Sequence, residues 1–274
     1  MLRSLYSGVS GMRGFQTKLD VIGNNIANVN TVGFKAGRVM FKDILSQTVS
    51  GVTAPTDAAG GVNAKQIGLG VSVAAVDTIH TPGSAMTTNV PTDLRIDGDG
   101  FFALSPTPDA PEKPYLTRAG NFTIDANRRL VNSDGMFVLG TGGTAITLDD
   151  TVTAFSISQS GEIVAVGADG TSTNTGQFIA VAKITNPSGL EKIGGNLYRM
   201  TPNSNVDAID LGASLANDPA TGTGAIISGQ LEMSNVDLTS EFTEMIIAQR
   251  GFQSNSRIIT TSDEVLQEVV NLKR

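Results

Sequence analysis

"LTSEFTEMIIAQRGFQSNSRIITTSDEVLQEVVNLKR", residues 238–274, repeats its apolar side chains every seven positions: Leu238, Met245, Phe252, Ile259 and Leu266 form one row, and Phe242 and Val270 take the companion position. A seven-residue repeat draws an apolar row along one side of an α-helix and marks a helix that packs against another helix. Asp237 stands before the run as an N-cap, and Glu241 and Glu244 fall in the first turns, where the helix dipole favours negative charge. Lys273 and Arg274 close the other end. At the rise of an α-helix the element is on the order of 50 Å long.

The other end of the chain carries the matching pattern. Leu5, Met12, Leu19 and Ile26 occupy one heptad position, and Phe15, Ile22 and Val29 the other. Gly8, Gly11 and Gly14 each cost roughly 1 kcal/mol in a helix relative to alanine but allow another backbone to come close. Residues 1–50 hold six Lys or Arg against two Asp or Glu, whereas residues 229–274 hold four against seven. The opposite balances favour pairing of the two ends, modestly at physiological salt.

Pairing leaves Tyr6, Val9, Ile246, Ile258, Val265, Val269 and Leu272 off the seam. A two-helix buttress on a β domain is the bland reading of such stripes. The surplus apolar residues argue instead for further helices supplied by self-association. Without those partners, the ends are expected to be disordered in dilute monomer and to fold on polymerisation.

All ten prolines lie between Pro55 and Pro219, so the interior of the chain is where helices are excluded. "TAPTDAAGGVNAK", residues 53–65, reads as a flexible linker. From Val71 the period changes to two. "DLRIDGDGFFAL", "YLTRAGNFTI", "RLVNSDGMFVLG", "AFSISQSGEIVAVGADG" and "QFIAVAKI" read as short strands separated by Gly, Asp, Asn and Ser turns. The expected fold is α+β and discontinuous. Long terminal helices over 1–32 and 234–274 pair as a coiled-coil-like unit, 33–70 is a linker segment, and 71–233 is an inserted all-β domain.

The 274-residue length suits two units, and 40% apolar content supplies a core. A net charge of −7 without a basic cluster argues against nucleic acid. With no cysteine, thiolate chemistry and disulfides are excluded. "MLRSLYSGVSGMRGFQTK" has no unbroken apolar run, so it reads as neither a secretory signal nor a membrane anchor.

No motif assembles a catalytic, cofactor or metal site. "DGDG", Asp97 to Gly100, opens like a calcium loop, but the later ligand positions hold Phe101, Phe102 and Pro108, so it reads as a tight hairpin turn. "GTGGT" at 140–144 lacks the lysine of a phosphate loop. His80 is the sole histidine and reads as a strand-end residue. Glu162 and Asp169, across a predicted hairpin, do not make a glycosidase pair.

Three stretches together resemble the bacterial flagellar axial proteins of the rod and hook: "MLRSLYSGVSGM", "LDVIGNNIANVNTVGFK" and "SNVDLTSEFTEMIIAQRGFQSNSRIITTSDEVLQEVVNLKR". "DLRIDGDGFFAL", "YLTRAGNFTIDANRRLVNSDGMFVLG" and "AKITNPSGLEKIGGNLYR" resemble the β region of the same family. The match is weakest over 51–65 and 200–228. Details such as "SNVDLTSEF" and the ending "VNLKR" look closest to short hook members, and straight distal-rod members are the alternative. A secreted β-domain binding module or adhesin with a helical stalk is the reading from another class.

The resemblance implies a homopolymer with terminal helices stacked around an export channel and β domains outside, a flexible joint transmitting torque in the hook reading. It implies export by the flagellar type III apparatus without a cleaved signal, no membrane insertion, and distal rod, hook cap and hook–filament junction proteins as neighbours. Leu5, Met12, Phe15, Leu19, Ile22 and Ile26, with Leu238, Phe242, Met245, Phe252, Ile259 and Leu266, are the expected assembly seams. Asn24, Asn25, Ala27, Asn28, Gly33 and Phe34 carry the family signature. Within it, Asn24, Asn25 and Asn28 are expected to bond the backbone of adjacent subunits without the desolvation penalty of buried charge, the alternative being a simple run of capping amides. Asn30 and Gly33 suit a helix stop, and Phe34 an anchor for the following linker.

Overall fold

A computed structural model describes residues 2–55, 60–109, 113–150, 152–167, 170–205 and 209–272. Lys273, Arg274, Asp169 and the centre of the expected linker, 56–59, lie outside the described residues. The chain is α+β and forms two compact units. One comprises residues 1–27, 37–78 and 237–274, the other 28–36 and 79–236.

The first unit is built on α1 (Leu2–Ala27) and α2 (Leu238–Leu272). Asp237 starts α2 as expected: its carboxylate accepts from the Thr239 amide at 2.9 Å and its carbonyl from the Glu241 amide at 3.0 Å. The glycines of α1 do bring the helices together. A Cβ on Gly8 would stand 3.6 Å from the Asn255 carbonyl oxygen, and one on Gly11 would strike the Asn255 amide at 2.6 Å. On α2, Gly251 lies directly under the Phe15 ring, 2.6 Å from where its own Cβ would be.

This close approach sets the phase of α2. Its side chains turned from solvent include Glu241, Met245, Ala248, Asn255, Ile259, Ser262 and Leu266. The companion row is therefore small or polar, not the Phe242 and Val270 expected from periodicity. A closely approached glycine helix leaves room only for small groups on that side, so Leu238, Phe242 and Phe252 turn outward.

The same unit contains four strands. β1 (Gly37–Asp43) pairs antiparallel with β4 (Val71–Thr78), running from Gly37 opposite Thr78 to Asp43 opposite Val71, with a bulge between Met40 and Phe41. β2 (Gln47–Ser50) pairs with β3 (Lys65–Ile67). The boundaries thus depart from the expected linker at 33–70 and β domain from 71. Residues 33–36 join the β-rich unit, while 37–43 and 71–78 form a ribbon in the helical unit. Contacts with α1 favour this arrangement: the Phe41 ring lies 2.9 Å from a Cβ placed on Gly14, and the Ser10 hydroxyl accepts from the Val71 amide at 3.3 Å.

The second unit contains β5 (Ala85–Thr87), β6 (Leu94–Asp97), β7 (Phe101–Ser105), β8 (Tyr115–Thr117), β9 (Thr123–Ile124), β10 (Leu130–Val131) and β11 (Phe137–Val138). After them come β12 (Val152–Ile157), β13 (Glu162–Gly167), β14 (Ser172–Phe178), β15 (Val181–Ala182), β16 (Glu191–Gly194), β17 (Leu197–Arg199), β18 (Ala225–Ser228) and β19 (Gln230–Glu232). The main sheet runs β16-β17-β8-β7-β11-β10-β9, with β15 also on β7, and β12-β13-β14 form a smaller meander. β18 pairs with β6 and β19 with β5, so the end of the β region returns beside its beginning. Leu94, Phe102, Leu104, Phe122, Val138 and Ile179 lie at the centre of a fully buried core.

Asp97–Gly100 uses positive φ at Gly98 (123°) and Gly100 (139°), as a tight turn should. It is not a hairpin, however, because β6 and β7 on its two sides pair with different strands.

Candidate functional site

Two local polar systems are built around the signature residues. The first begins with the asparagine run. Asn25, the last buried side chain of α1, donates from Nδ2 to the Gly37 carbonyl at 2.8 Å and accepts at Oδ1 from the Gly37 amide at 2.9 Å. The same Nδ2 reaches the Glu241 carboxylate at 3.0 Å. One amide thereby joins the end of α1, the start of β1 and the first turn of α2. Burial pushes the Glu241 carboxyl up, and the Asn25 bond opposes that shift.

For Asn25 the expected contact to an adjacent subunit gives way to contacts within its own chain. An amide satisfies a backbone donor and acceptor together, which a carboxylate or ammonium cannot. Nearby, Lys18 pairs with Glu244 at 2.5 Å, realising at one point the opposite charge of the two ends. Being partly exposed, that pair contributes only about 0–1 kcal/mol.

Asn24 and Ala27 are exposed, and Asn28 is half-buried. The helix stops at Ala27. Asn28 then accepts from the Thr31 amide at 3.1 Å through its carbonyl and from the Thr31 hydroxyl at 3.2 Å through its side chain. Gly33 has φ of 70°, and a Cβ there would stand 2.5 Å from the Ala119 nitrogen, so the signature glycine answers both conformation and space. Phe34 is buried in the β-rich unit, with the Lys192 ammonium 3.9 Å from its ring centroid.

Lys35 begins the second system. It is buried in the β-rich unit and donates to the Glu232 carboxylate at 2.5 Å and to the Thr81 carbonyl at 2.7 Å. Glu232 also accepts from the Gly83 amide at 3.0 Å and pairs with buried Arg118 at 3.3 Å. Asn235 accepts from the Ala36 amide at 2.8 Å and donates to the Ile79 carbonyl at 2.9 Å. Sequence reasoning missed Lys35, Arg118, Glu232 and Asn235. Their only signal was Lys35 closing the quoted signature, since nothing local marks a lysine as buried.

The remaining predicted seam residues divide. Ile22 is buried, and Leu5, Met12, Phe15, Leu19, Ile26, Met245, Ile259 and Leu266 are half-buried. Leu238, Phe242 and Phe252 are exposed. Every residue expected off the seam is open to solvent: Tyr6 at 72%, Val9, Ile246 at 52%, Ile258, Val265, Val269 and Leu272 at 87%. β1 adds Met40 and Phe41, and the connection to β2 adds Ile44 and Leu45, all of which were expected to lie in a linker. No helix among the described residues is long and apolar enough to cross a membrane.

Comparison with known families gives three matches along the chain. Residues 5–35 match the flagella basal body rod protein family, 95–165 the flagellar hook protein FlgE/F/G D1 domain, and 227–272 the flagellar basal body rod FlgEFG protein C-terminal family. Among relatives, the flagellar basal-body rod protein FlgG of Bacillus subtilis is 56% identical over 275 positions, covering 100% of both chains. That of Borreliella burgdorferi is 38% identical over 279 positions, again with full coverage of both. The flagellar hook protein FlgE of Borreliella burgdorferi is 30% identical, and its alignment extends over 452 positions to cover 100% of both chains. That hook protein therefore carries long stretches with no counterpart here.

Proposed function

The chain belongs to the FlgE/F/G family of flagellar rod and hook proteins, and from that premise we propose that it is a subunit of the distal rod rather than of the hook. The family is structural, and its members are components of the basal body and hook. The observation that carries the rod reading is the end-to-end match with rod proteins of the same length, at up to 56% identity over 275 positions. The hook-like details of "SNVDLTSEF" and "VNLKR" weigh less than that match. The hook reading must also account for the 452-position alignment to a longer chain.

The mechanism we infer is heterologous stacking. α1 presents Tyr6 and Val9, and α2 presents Phe242, Ile246, Ile258, Val265 and Val269. Two different stripes on one protomer favour a contact in which each copy covers the next. Such contacts, when they do not close into a ring, build a helical tube. Each large apolar side chain fully buried in this way contributes about 1.5–3 kcal/mol. Inner seams at Leu5, Met12, Phe15, Leu19, Ile22, Ile26, Met245, Ile259 and Leu266 hold the pair, while Leu238, Phe242 and Phe252 join the surface between copies. In this reading the polymer is a straight drive shaft, its subunits leave by the flagellar type III apparatus without a cleaved signal, and its end meets the hook.

Electron microscopy of basal bodies from a deletion strain tests the assignment. Rods that stop short are expected. Complete rods lacking a curved hook would transfer the chain to the hook, and normal flagella would overturn both readings.

A further inference from the structure

The β-rich unit holds a cavity of about 540 Å³ walled by its own residues. Phe101, Arg118 and Ile184 are buried side chains in its lining, with the Arg118 guanidinium carbon 5.3 Å from the Phe101 ring centroid. Both terminal nitrogens of Arg118 are occupied: Nη1 by the Glu232 carboxylate at 3.3 Å, Nη2 by the Gly98 carbonyl at 2.8 Å. Its Nε–H is buried and has no partner among the described residues. A buried donor left in this state costs roughly 1–3 kcal/mol, more when charged.

His80 lines the cavity beside it: the ring is hydrogen-bonded to the Pro187 backbone, its Nδ1 is buried without a partner among the described residues, and it stands edge-on to Phe101 and Tyr198, 5.6 Å from each. Burial, with Lys35, Arg118 and Lys192 nearby, lowers its pKa to about 4, so the ring is neutral at physiological pH. At the mouth, exposed Lys183 gives one hydrogen to the Thr221 carbonyl at 2.7 Å. Asn205 accepts from the Thr185 hydroxyl at 3.1 Å through Oδ1, which leaves its amide hydrogens uncommitted. Asp99 is the one carboxylate among the lining residues and is exposed. Behind the lining, Lys35 and Arg118 share the single carboxylate of Glu232, so the buried group carries a net positive charge.

Uncommitted donors on Lys183 and Asn205, surplus positive charge and an apolar surface on Phe101 and Ile184 coincide in one cavity. We propose that this cavity binds a carboxylate, whose oxygens take hydrogen bonds from Lys183 and Asn205 in the field of the Arg118 guanidinium. A free dicarboxylate and an acidic side chain of a second copy carry the same chemistry. The site is independent of whether the subunit belongs to rod or hook.

The sole histidine makes a single-residue probe. Succinate is titrated into the full chain below its assembly threshold, with ionic strength held constant by chloride, while the His80 ring resonances are followed by NMR. A saturable shift is expected, with a half-saturation concentration raised about five-fold in Lys183→Gln, the loss of one exposed charge-assisted bond. No shift beyond the chloride control would overturn the proposal, as would a half-saturation unchanged in both Lys183→Gln and Asn205→Ala. A shift that grows with protein concentration and is reversed by succinate assigns the site to a side chain of a second copy. Response to succinate with no dependence on protein concentration assigns it to a free carboxylate.

Discussion

The two units solve the burial problem in opposite ways. In the β-rich unit Leu94, Phe102, Leu104, Leu116, Leu139 and Ile179 are wholly shielded from water. In the helical unit the buried apolar side chains among the described residues are Ile22 and Ala248, while large apolar groups stand open along both helices. The β-rich unit completes its core alone. The helical unit leaves its apolar surface open, which suits the proposed subunit that polymerises through its ends.

The largest test of this contrast uses two substitutions on α2. Ile259→Asp places a carboxylate against Gly8 in the seam between the helices and is expected to abolish assembly while leaving the β-rich unit folded. Ile246→Asp changes a residue 52% exposed, so monomer stability should move by no more than about 0.5 kcal/mol while assembly again fails. Sedimentation and electron microscopy read assembly, and circular dichroism reads the fold. Normal filaments from Ile246→Asp would show that the exposed stripe is not an interface.

Next in size, Glu232→Gln removes the carboxylate shared by Lys35 and Arg118 and leaves two buried cations without a counter-charge. The β-rich unit should lose roughly 3–5 kcal/mol, read by denaturant unfolding. A loss below about 1 kcal/mol would mean that water already reaches the group.

The smallest effect is the pH dependence from His80. Its folded pKa, about 4, lies below the ordinary 6.5. The unfolded chain therefore takes up a proton first as pH falls. The stability from a neutral, buried ring is fully present above pH 6.5 and is lost progressively down to about pH 4. The change is about 2 kcal/mol, the full shift discounted for incomplete burial. It should vanish in His80→Asn, and an unchanged slope in that variant would assign the pH dependence to other groups.

Much of this architecture was legible before any coordinates. Asp237 announced the start of α2, the proline-free ends announced helices, and Gly8 and Gly11 announced a close approach. Period-two stretches with Gly and Asp turns located β6, β7, β10 to β13 and their neighbours. The surplus residues Tyr6, Ile246, Ile258 and Val265 were identified as exposed by subtraction alone. The ribbon of β1 with β4 was not legible, because its partners are separated by a segment that reads as linker and only packing on α1 gives them a reason to meet. The phase of α2 was misread because apolar period counts large residues, whereas a glycine-lined helix selects small ones.

Sequence by itself therefore determined that both ends are helical, that Asp237 caps α2, that several middle segments are strands and that one copy leaves apolar surface over, while the expected helix to residue 32 stops at Ala27. These are local or additive properties, set by backbone geometry and composition. Tertiary structure alone decided that Asn25 grips Gly37, that Lys35 is buried on Glu232 beside Arg118, and that Phe252 faces water. Each of those outcomes depends on which distant stretch of chain arrives beside the residue, and a polar group or a small side chain carries no mark of its future partner.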